Sequence, residues 1–230
     1  MSDFIRDSAY SGLVLSLMAY GIGWLINRKT GKAFCNPLLI AIILTIAVLA
    51  VGHMDYDIYY SSAQYLGWLL TPATVCLAVP LYEKLELLKS DWKAIFSGIL
   101  SGVLTSLVCV LAMSMAFGLT HEEYVTFLPK SITTAIGIGI SEEMGGYVNL
   151  TAAVIIITGV LGNVMAPLLC RMFRITEPVA KGIAIGTSAH AVGTAKAMEM
   201  GEVEGAMSSL SIAVAGIVTV AGVSVFAQFY

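Results

Sequence analysis

Ala135-Ile136-Gly137 and Glu143-Met144-Gly145 recur further along the chain as Ala191-Val192-Gly193 and Glu199-Met200-Gly201. Both echoes share one offset of 56 residues (191 − 135 and 199 − 143). Two chance matches would have no reason to agree on a spacing. Each copy is rich in Gly and Thr, carries a lone basic residue (Lys130, Lys196) and precedes an apolar span. A repeat built of an interrupted segment followed by a whole span is the pattern expected of a secondary transporter.

The surrounding chain is a membrane sequence. Of its 230 residues 58% are hydrophobic and 12% charged, and the mean hydropathy is +0.87. A soluble domain carries about 25% charge. The length holds about seven or eight membrane segments of roughly 20 residues each, which leaves no room for a separate soluble domain. A net charge of −3 without any basic run excludes nucleic acid as a partner. Met1-Ser-Asp-Phe-Ile-Arg-Asp7 lacks a strongly basic opening, so the first apolar span is expected to stay in the membrane. Cys35, Cys76, Cys109 and Cys170 share no metal-type spacing and read as small buried hydrophobes.

Outward from the repeat, apolar spans are expected over residues 8–26, 36–51, 63–82, 94–118, 148–170 and 205–229. Asn36-Pro37 opens the second, since Pro is well tolerated in a first helical turn. Pro72 and Pro80 interrupt the third. A mixed-charge loop is expected from Glu83 to Lys93. Residues 125–140 and 180–200 are the interrupted segments, with Pro129, Gly137 and Gly139 in one and Gly182, Gly186 and Gly193 in the other. The chain reads as one transmembrane domain over 1–230. It has a four-helix half (1–120) and a half (121–230) holding two repeat units of about 125–171 and 180–229.

Charge tests the topology. Basic residues gather in three loops: Arg28/Lys29/Lys32, Lys84/Lys89/Lys93 and Arg171/Arg174/Lys181. The positive-inside rule places all three in the cytoplasm. If residues 125–147 crossed the bilayer completely, the third cluster would lie outside. The conflict disappears if 125–147 dip in from the outside and return, and 180–204 do the same from the cytoplasm. The expected fold is therefore all-α and polytopic. It has about six crossing helices plus two re-entrant or interrupted segments in inverted repeat units; the alternative is eight full crossings.

Irregular backbone at membrane depth must be buried in protein or line a wet cavity. The gaps in the spans are therefore the expected cavity walls: Leu70-Thr-Pro-Ala-Thr-Val75, Leu128-Pro-Lys-Ser-Ile-Thr-Thr134 and Gly186-Thr-Ser-Ala-His-Ala-Val-Gly-Thr-Ala-Lys196. Half-helix N-termini carry free N–H groups and partial positive charge, which attract anions. The expected substrate-binding residues are Thr71, Thr74, Lys130, Ser131, Thr133, Thr134, Thr187, Ser188, His190 and Thr194. Lys130 or His190 would supply positive charge, and His190 is the candidate for a coupling proton. The plainer readings are snorkelling for Lys130, a hydrogen-bonded structural role for His190, and hydroxyls bonded to their own helix. Asn163, Ser208 and Ser209 read as helix–helix glue, and Gly98–Gly102 as a close-packing face. No enzyme signature, metal motif or cofactor site is present: i,i+2 residues such as Ser188 and His190 do not face one another on a helix.

These motifs together resemble the LrgB/CidB family of bacterial membrane proteins. The matching pieces are Asn36-Pro-Leu-Leu39, Pro72-Ala-Thr-Val75 with Ala78-Val-Pro-Leu-Tyr82, Leu128-Pro-Lys-Ser-Ile-Thr-Thr134, Gly186-Thr-Ser-Ala-His190 with Gly193-Thr-Ala195, and Glu204-Gly-Ala-Met-Ser-Ser-Leu210. They cover nearly the whole chain in order. Ala135 stands where the family often has Pro, and Ser141-Glu142-Glu143 replaces part of a Gly-rich stretch. The resemblance implies a multi-pass protein of the bacterial inner membrane. It also implies two functional labels. One is a holin/antiholin-like modulator of murein hydrolases and lysis, acting with a small LrgA/CidA-like partner. The other is a carrier of small carboxylates: bacterial relatives are linked to pyruvate, and a plastid relative is a glycolate/glycerate translocator. The interrupted repeat favours the carrier, with lipid, a small carboxylate and the small membrane protein as partners and a homodimer as the expected assembly.

Overall fold

The structure is a computed structural model that describes residues 10–31, 35–76 and 78–230. It is helical, with no strand among the described residues. In chain order the helices are α1 (Ser11–Thr30), α2 (Pro37–Val51), α3 (Tyr56–Trp68), α4 (Leu70–Cys76), α5 (Ala78–Glu83), α6 (Leu85–Phe117), α7 (His121–Phe127), α8 (Thr134–Glu143), α9 (Val148–Met172), α10 (Pro178–Met200) and α11 (Glu202–Phe226). Among the described residues three helical stretches are long and apolar enough to cross a membrane, Lys89–Phe117, Val148–Met172 and Glu202–Phe229; Pro37–Val51 is a shorter apolar helix. The protein is a polytopic helical membrane protein.

The chain divides into two compact units after Cys76. In the first, Asn36 caps α2 by accepting from Leu38 N (2.9 Å) and Leu39 N (3.2 Å), and Pro37 occupies the first turn. α1 packs on α2 and α3 through glycines: a Cβ at Gly23 would lie 2.5 Å from Pro37 O, and one at Gly12 2.6 Å from Ser62 Oγ. Pro72 and Pro80 do mark broken helix. Each is the third residue of a short element, α4 and α5, where a missing N–H costs nothing.

The second unit, residues 77–230, holds the repeat. α6 is longer than expected. The mixed-charge stretch is largely helical, joined to the apolar span through a kink at Asp91 (φ −112°, ψ 20°). Ile95, Ile99, Val103, Leu107 and Val110 bury one face of α6, while Phe96, Leu100, Leu104 and Val108 lie exposed on the other. A helix apolar on both faces needs hydrocarbon on one of them. Of the cysteines only Cys170 is buried; Cys76 and Cys109 are exposed on their helices, contrary to expectation, and Cys35 is half-buried.

α10 is not a straight rod. Its backbone breaks at His190 (φ 42°, ψ −141°). Residues 185 and 193 of a straight helix would be about 12 Å apart along the axis. Instead a Cβ at Gly193 would lie 3.0 Å from Ile185 Cγ2 and 3.4 Å from Ile185 O. Lys181, near the start of α10, forms an ion pair with Glu204, four residues past its end (3.7 Å). α10 is therefore a hairpin of two antiparallel arms with its tip at His190.

α7 and α8 form a second hairpin. Tyr147 N donates to Thr126 Oγ1 (2.8 Å), and Thr151 Oγ1 donates to Thr126 O (3.1 Å) and lies 2.7 Å from the Ser141 hydroxyl, so both arms start and finish at one end. A capping box, Thr120 with Glu123, starts α7. The turn at residues 128–133 makes the tip. Corresponding points of the two hairpins agree at the 56-residue offset. Gly137 faces Pro129 O as Gly193 faces Ile185 O (3.5 and 3.4 Å to a Cβ); α8 begins at Thr134, and its counterpart, residue 190, is the break.

The hairpins enter from opposite ends. The second runs down α6 from Asp91 and Glu177, through Gly98 against Ile183, to Gly102 against Thr187. The first runs down from Phe117 and Leu119, through Phe127, to Ser131 at Ser106. α9 begins beside Thr126 and finishes with Cys170 and Arg171 beside Lys181 and Met200; α11 begins at Lys181 and finishes with Phe226 O accepting from Tyr124 Oη (2.9 Å). α9 and α11 are thus antiparallel, and the two repeats within this C-terminal unit are inverted. Eight full crossings do not fit, because both broken segments return to the end they left.

Candidate functional site

The hairpin tips approach α6 near its middle. Gly102 and Ser106 are one helical turn apart, and each receives one tip. A larger residue at 102 would collide, since a Cβ there would already lie 3.0 Å from Thr187 Oγ1 and 3.3 Å from Thr187 Cβ. This close approach explains the small residues at 98, 102 and 106, spaced by four along one face.

At the first tip Lys130 Nζ donates to Ser131 Oγ (2.9 Å) and Ser106 Oγ (3.2 Å), and the two hydroxyls are 3.2 Å apart. Among the described residues no carboxylate lies within ion-pair distance of Lys130. The ammonium has three donors, so two serines leave one unused. Its surroundings are apolar: a cleft of about 330 Å³ reaches it past Val110, Met113, Phe117 and Phe127. A cation held by neutral hydroxyls at this depth is poised to take an anion. Thr133 is the N-cap of α8 and spends no side-chain bond on capping, and Thr134 is the helix's first residue; both are half-buried. The N-terminus of α8 thus opens three residues from Lys130 with its first N–H groups unspent.

At the second tip His190 is 3% exposed and donates from Nε2 to Ile155 O (3.0 Å). A carbonyl only accepts, so Nε2 carries the proton. The ring fits because α9 is stripped at Gly159, where a Cβ would lie 2.6 Å from His190 Cε1. Asn163 Nδ2 donates to Val192 O (2.6 Å), pinning the turn from the same helix. Thr194 Oγ1 donates to His190 O (2.9 Å) and meets Ser208 Oγ at 2.7 Å. The break is thereby fastened to α9 and α11. Thr187 and Ser188 return their hydroxyls to their own helix, at Ile183 O (2.7 Å) and Ala184 O (2.6 Å), and Ser188 is exposed. Thr187 keeps its oxygen toward Gly102.

Of the residues singled out in the sequence, Lys130 and Ser131 come together, with Thr133 and Thr134 beside them in the chain. Thr187 reaches α6 one turn away, and His190 and Thr194 hold the second tip to its neighbours. The side chains of Thr71 and Thr74 lie outside the described residues, within the N-terminal unit. Ser106 was not foreseen. It sits in an unbroken apolar helix, and its only sequence signal is the Gly98, Gly102, Ser106 spacing. Ile155 joins the tips: its side chain fills the space beside Gly137 in the first hairpin while its carbonyl holds His190 in the second.

The LrgB-like family model matches residues 16–229. Two Bacillus proteins named "Antiholin-like protein LrgB" are similar over 221 residues, 96% of this chain and 96% of each relative: 39% identity for Bacillus mycoides and 38% for Bacillus cereus. A Bacillus anthracis protein of the same name is also 38% identical. No solved structure matches the chain. With the match running from the first helix to the last, this protein belongs to the LrgB-like family of bacterial membrane proteins.

Proposed function

We propose that this protein is a secondary carrier of small carboxylates of the pyruvate and glycolate type. One observation carries the reading: two inverted hairpins bring broken backbone from opposite ends of α6 to adjacent turns, and there Lys130 has hydroxyls but, among the described residues, no carboxylate partner. Broken helices in inverted repeats, meeting at mid-membrane, are the architecture by which carriers bind polar solutes and alternate access. The carboxylate would sit between Lys130 Nζ and the N-terminal N–H groups of α8, with Ser106, Ser131, Thr133 and Thr134 lending hydroxyls. His190, already committed to a carbonyl, acts as the pin of the second tip rather than as a ligand.

The test is uptake of labelled pyruvate, glycolate and lactate into proteoliposomes, with the protein alone and with a small LrgA/CidA-like partner. Uptake that saturates and is blocked by excess unlabelled acid supports the carrier. No uptake of any of the three, with or without the partner, removes it.

A second reading is favoured by the relatives' names, which are antiholin-like. In it the chain restrains a lesion-forming partner, and the readout is release of a large encapsulated dye by that partner, suppressed when this chain is added. The two readings are compatible if altered acid flux is what changes lysis.

A further inference from the structure

The basic end of the C-terminal unit contains a cleft that the carrier site does not use. It lies between the end of α9 and the base of the second hairpin, occupies about 560 Å³, and is lined by Pro167, Arg171, Arg174, Thr176, Lys181 and Met200, among others. We propose that it binds the phosphate headgroup of an anionic phospholipid from the cytoplasmic leaflet.

Charge is the first argument. Three cations converge on one cleft, and the carboxylates nearby are already engaged. Glu204 is paired with Lys181 (3.7 Å), Glu202 with Lys84 (3.0 Å) and Glu199 with Lys196 (2.7 Å). Glu177 and Asp91 line a different cleft, along α6. Among the described residues no ion pair includes Arg171 or Arg174. Two guanidiniums without counter-ions in a concave surface are suited to a phosphodiester, which they grip with paired N–H donors.

Shape is the second. The turn after α9 aims the arginines: Arg174 N bonds Arg171 O (3.2 Å), Ile175 N bonds Cys170 O (2.8 Å), and Arg174 takes φ 53°. Below this cationic rim the walls are apolar, supplied by Pro167, Ile175 and Met200. A free phosphate needs a polar cradle on all sides. A headgroup with its acyl chain needs a charged rim over an apolar wall, which is what this cleft offers. The positive-inside rule puts this end in the cytoplasm, where the leaflet is anionic. Because Lys181 on one arm and Met200 on the other both line the cleft, a lipid seated there would tie the base of the hairpin together.

The test uses the purified full-length chain in detergent and two lipids with identical acyl chains, dioleoyl phosphatidylglycerol and dioleoyl phosphatidylcholine. Thermal unfolding and native mass spectrometry report stabilisation and bound lipid. Phosphatidylglycerol is expected to bind and raise Tm, and phosphatidylcholine to do neither. In R171Q/R174Q binding is expected to weaken about 30-fold, at about 1 kcal/mol for each cation. Arg174→Gly, whose φ a glycine adopts freely, keeps the turn and is expected to weaken binding about 5-fold on the same scale, which covers misfolding of the double variant. Equal effects of the two lipids, an unchanged affinity in Arg174→Gly, or protection by inorganic phosphate matching that by phosphatidylglycerol would each overturn the proposal. No arm depends on transport, so failure of the carrier reading leaves this result intact.

Discussion

Replacing Lys130 by Met separates a binding cation from a structural one. Lys130 Nζ contacts two serine hydroxyls and no carboxylate among the described residues. In the empty protein its charge is therefore under-compensated, and removing it costs little; an apolar replacement of a buried charge is often neutral or stabilising. With a carboxylate bound, the same ammonium makes a charge-assisted hydrogen bond of about 1.5–3 kcal/mol. K130M is expected to fold with an unchanged or higher Tm in detergent, and to raise the KM for pyruvate or glycolate uptake by about 10- to 150-fold. Ser106→Ala removes one hydroxyl from the ammonium, a neutral-partner bond of about 0.5–1.5 kcal/mol, and should raise KM by about 2- to 12-fold. Its effect should vanish in the K130M background, because the serine acts through the lysine. The assay is proteoliposome uptake against external acid concentration, with Tm measured on the same preparations. A K130M protein that transports with KM within twofold of the parent would refute the assignment. So would a K130M protein that simply unfolds, since that would make the lysine a structural group.

The inverted arrangement predicts labelling. In a background lacking the four native cysteines, Glu122→Cys should react with a membrane-impermeant maleimide in intact cells, and Glu202→Cys only after permeabilisation; reaction of both from one side would contradict the two-ended entry of the hairpins. Glycine packing predicts stabilities of opposite sign. A Cβ at Gly182 would lie 2.5 Å from Glu204 O and 3.1 Å from Ser208 N, both backbone atoms that cannot step aside, whereas one at Gly139 meets nothing within 4 Å. Gly182→Ala should cost about 1–3 kcal/mol, and Gly139→Ala should gain about 0.5–1 kcal/mol, read as shifts of Tm in opposite directions; equal shifts would contradict the packing. Finally, a Cβ at Gly102 would lie 3.3 Å from Thr187 Cβ, close to disulfide distance. Cysteines at both positions should cross-link the second tip to α6 and stop uptake until reductant is added; full uptake in the oxidised protein would show that this contact stays closed throughout the cycle.

Much of this fold was readable because the repeat leaves chemical marks. Gly137 and Gly193 each sit where a side chain has no room, against Ile155 of α9 in the first hairpin and against Ala189 and Ile185 in the second, so they persist at one offset. The charge clusters then decide that each broken segment returns to its own side, a conclusion that apolar content alone would miss. The site was less legible. Nothing in the sequence singles out residue 190 as the one with positive φ, since glycines, which adopt it far more readily, lie on either side. Ser106 looks like any small residue in a packed helix. Its role depends on which residue the first tip places opposite it, and that is a fact of three-dimensional register. Thr187, Ser188 and Thr194 read alike in the sequence as hydroxyls at a gap. Only the hairpin geometry turns Thr187 toward α6 and Thr194 into the α10–α11 seam while leaving Ser188 exposed.

The two tips are built to different tolerances, which bears on how access could alternate. The second is fastened by three bonds from two helices: His190 to Ile155 O on α9, Asn163 on α9 to Val192 O, and Thr194 to Ser208 on α11. Its first arm lies against α11 so closely that Gly182 and Gly186 admit no side chain. The first tip has fewer such ties. Its turn meets α6 through serine hydroxyls and a lysine, partners that can exchange for water or for a bound anion at small net cost. In the proposed carrier a tightly tied tip and a loosely held one, one helical turn apart on α6, would divide the labour of a gate. In that carrier the second hairpin with α11 would form the frame, and the residues around Lys130 would respond to what binds. A lesion-forming assembly has no need of this asymmetry, because packed helices with equal seams would serve it as well. A carrier needs it, since only differential contact with the occupied and empty states lets substrate shift the equilibrium between them.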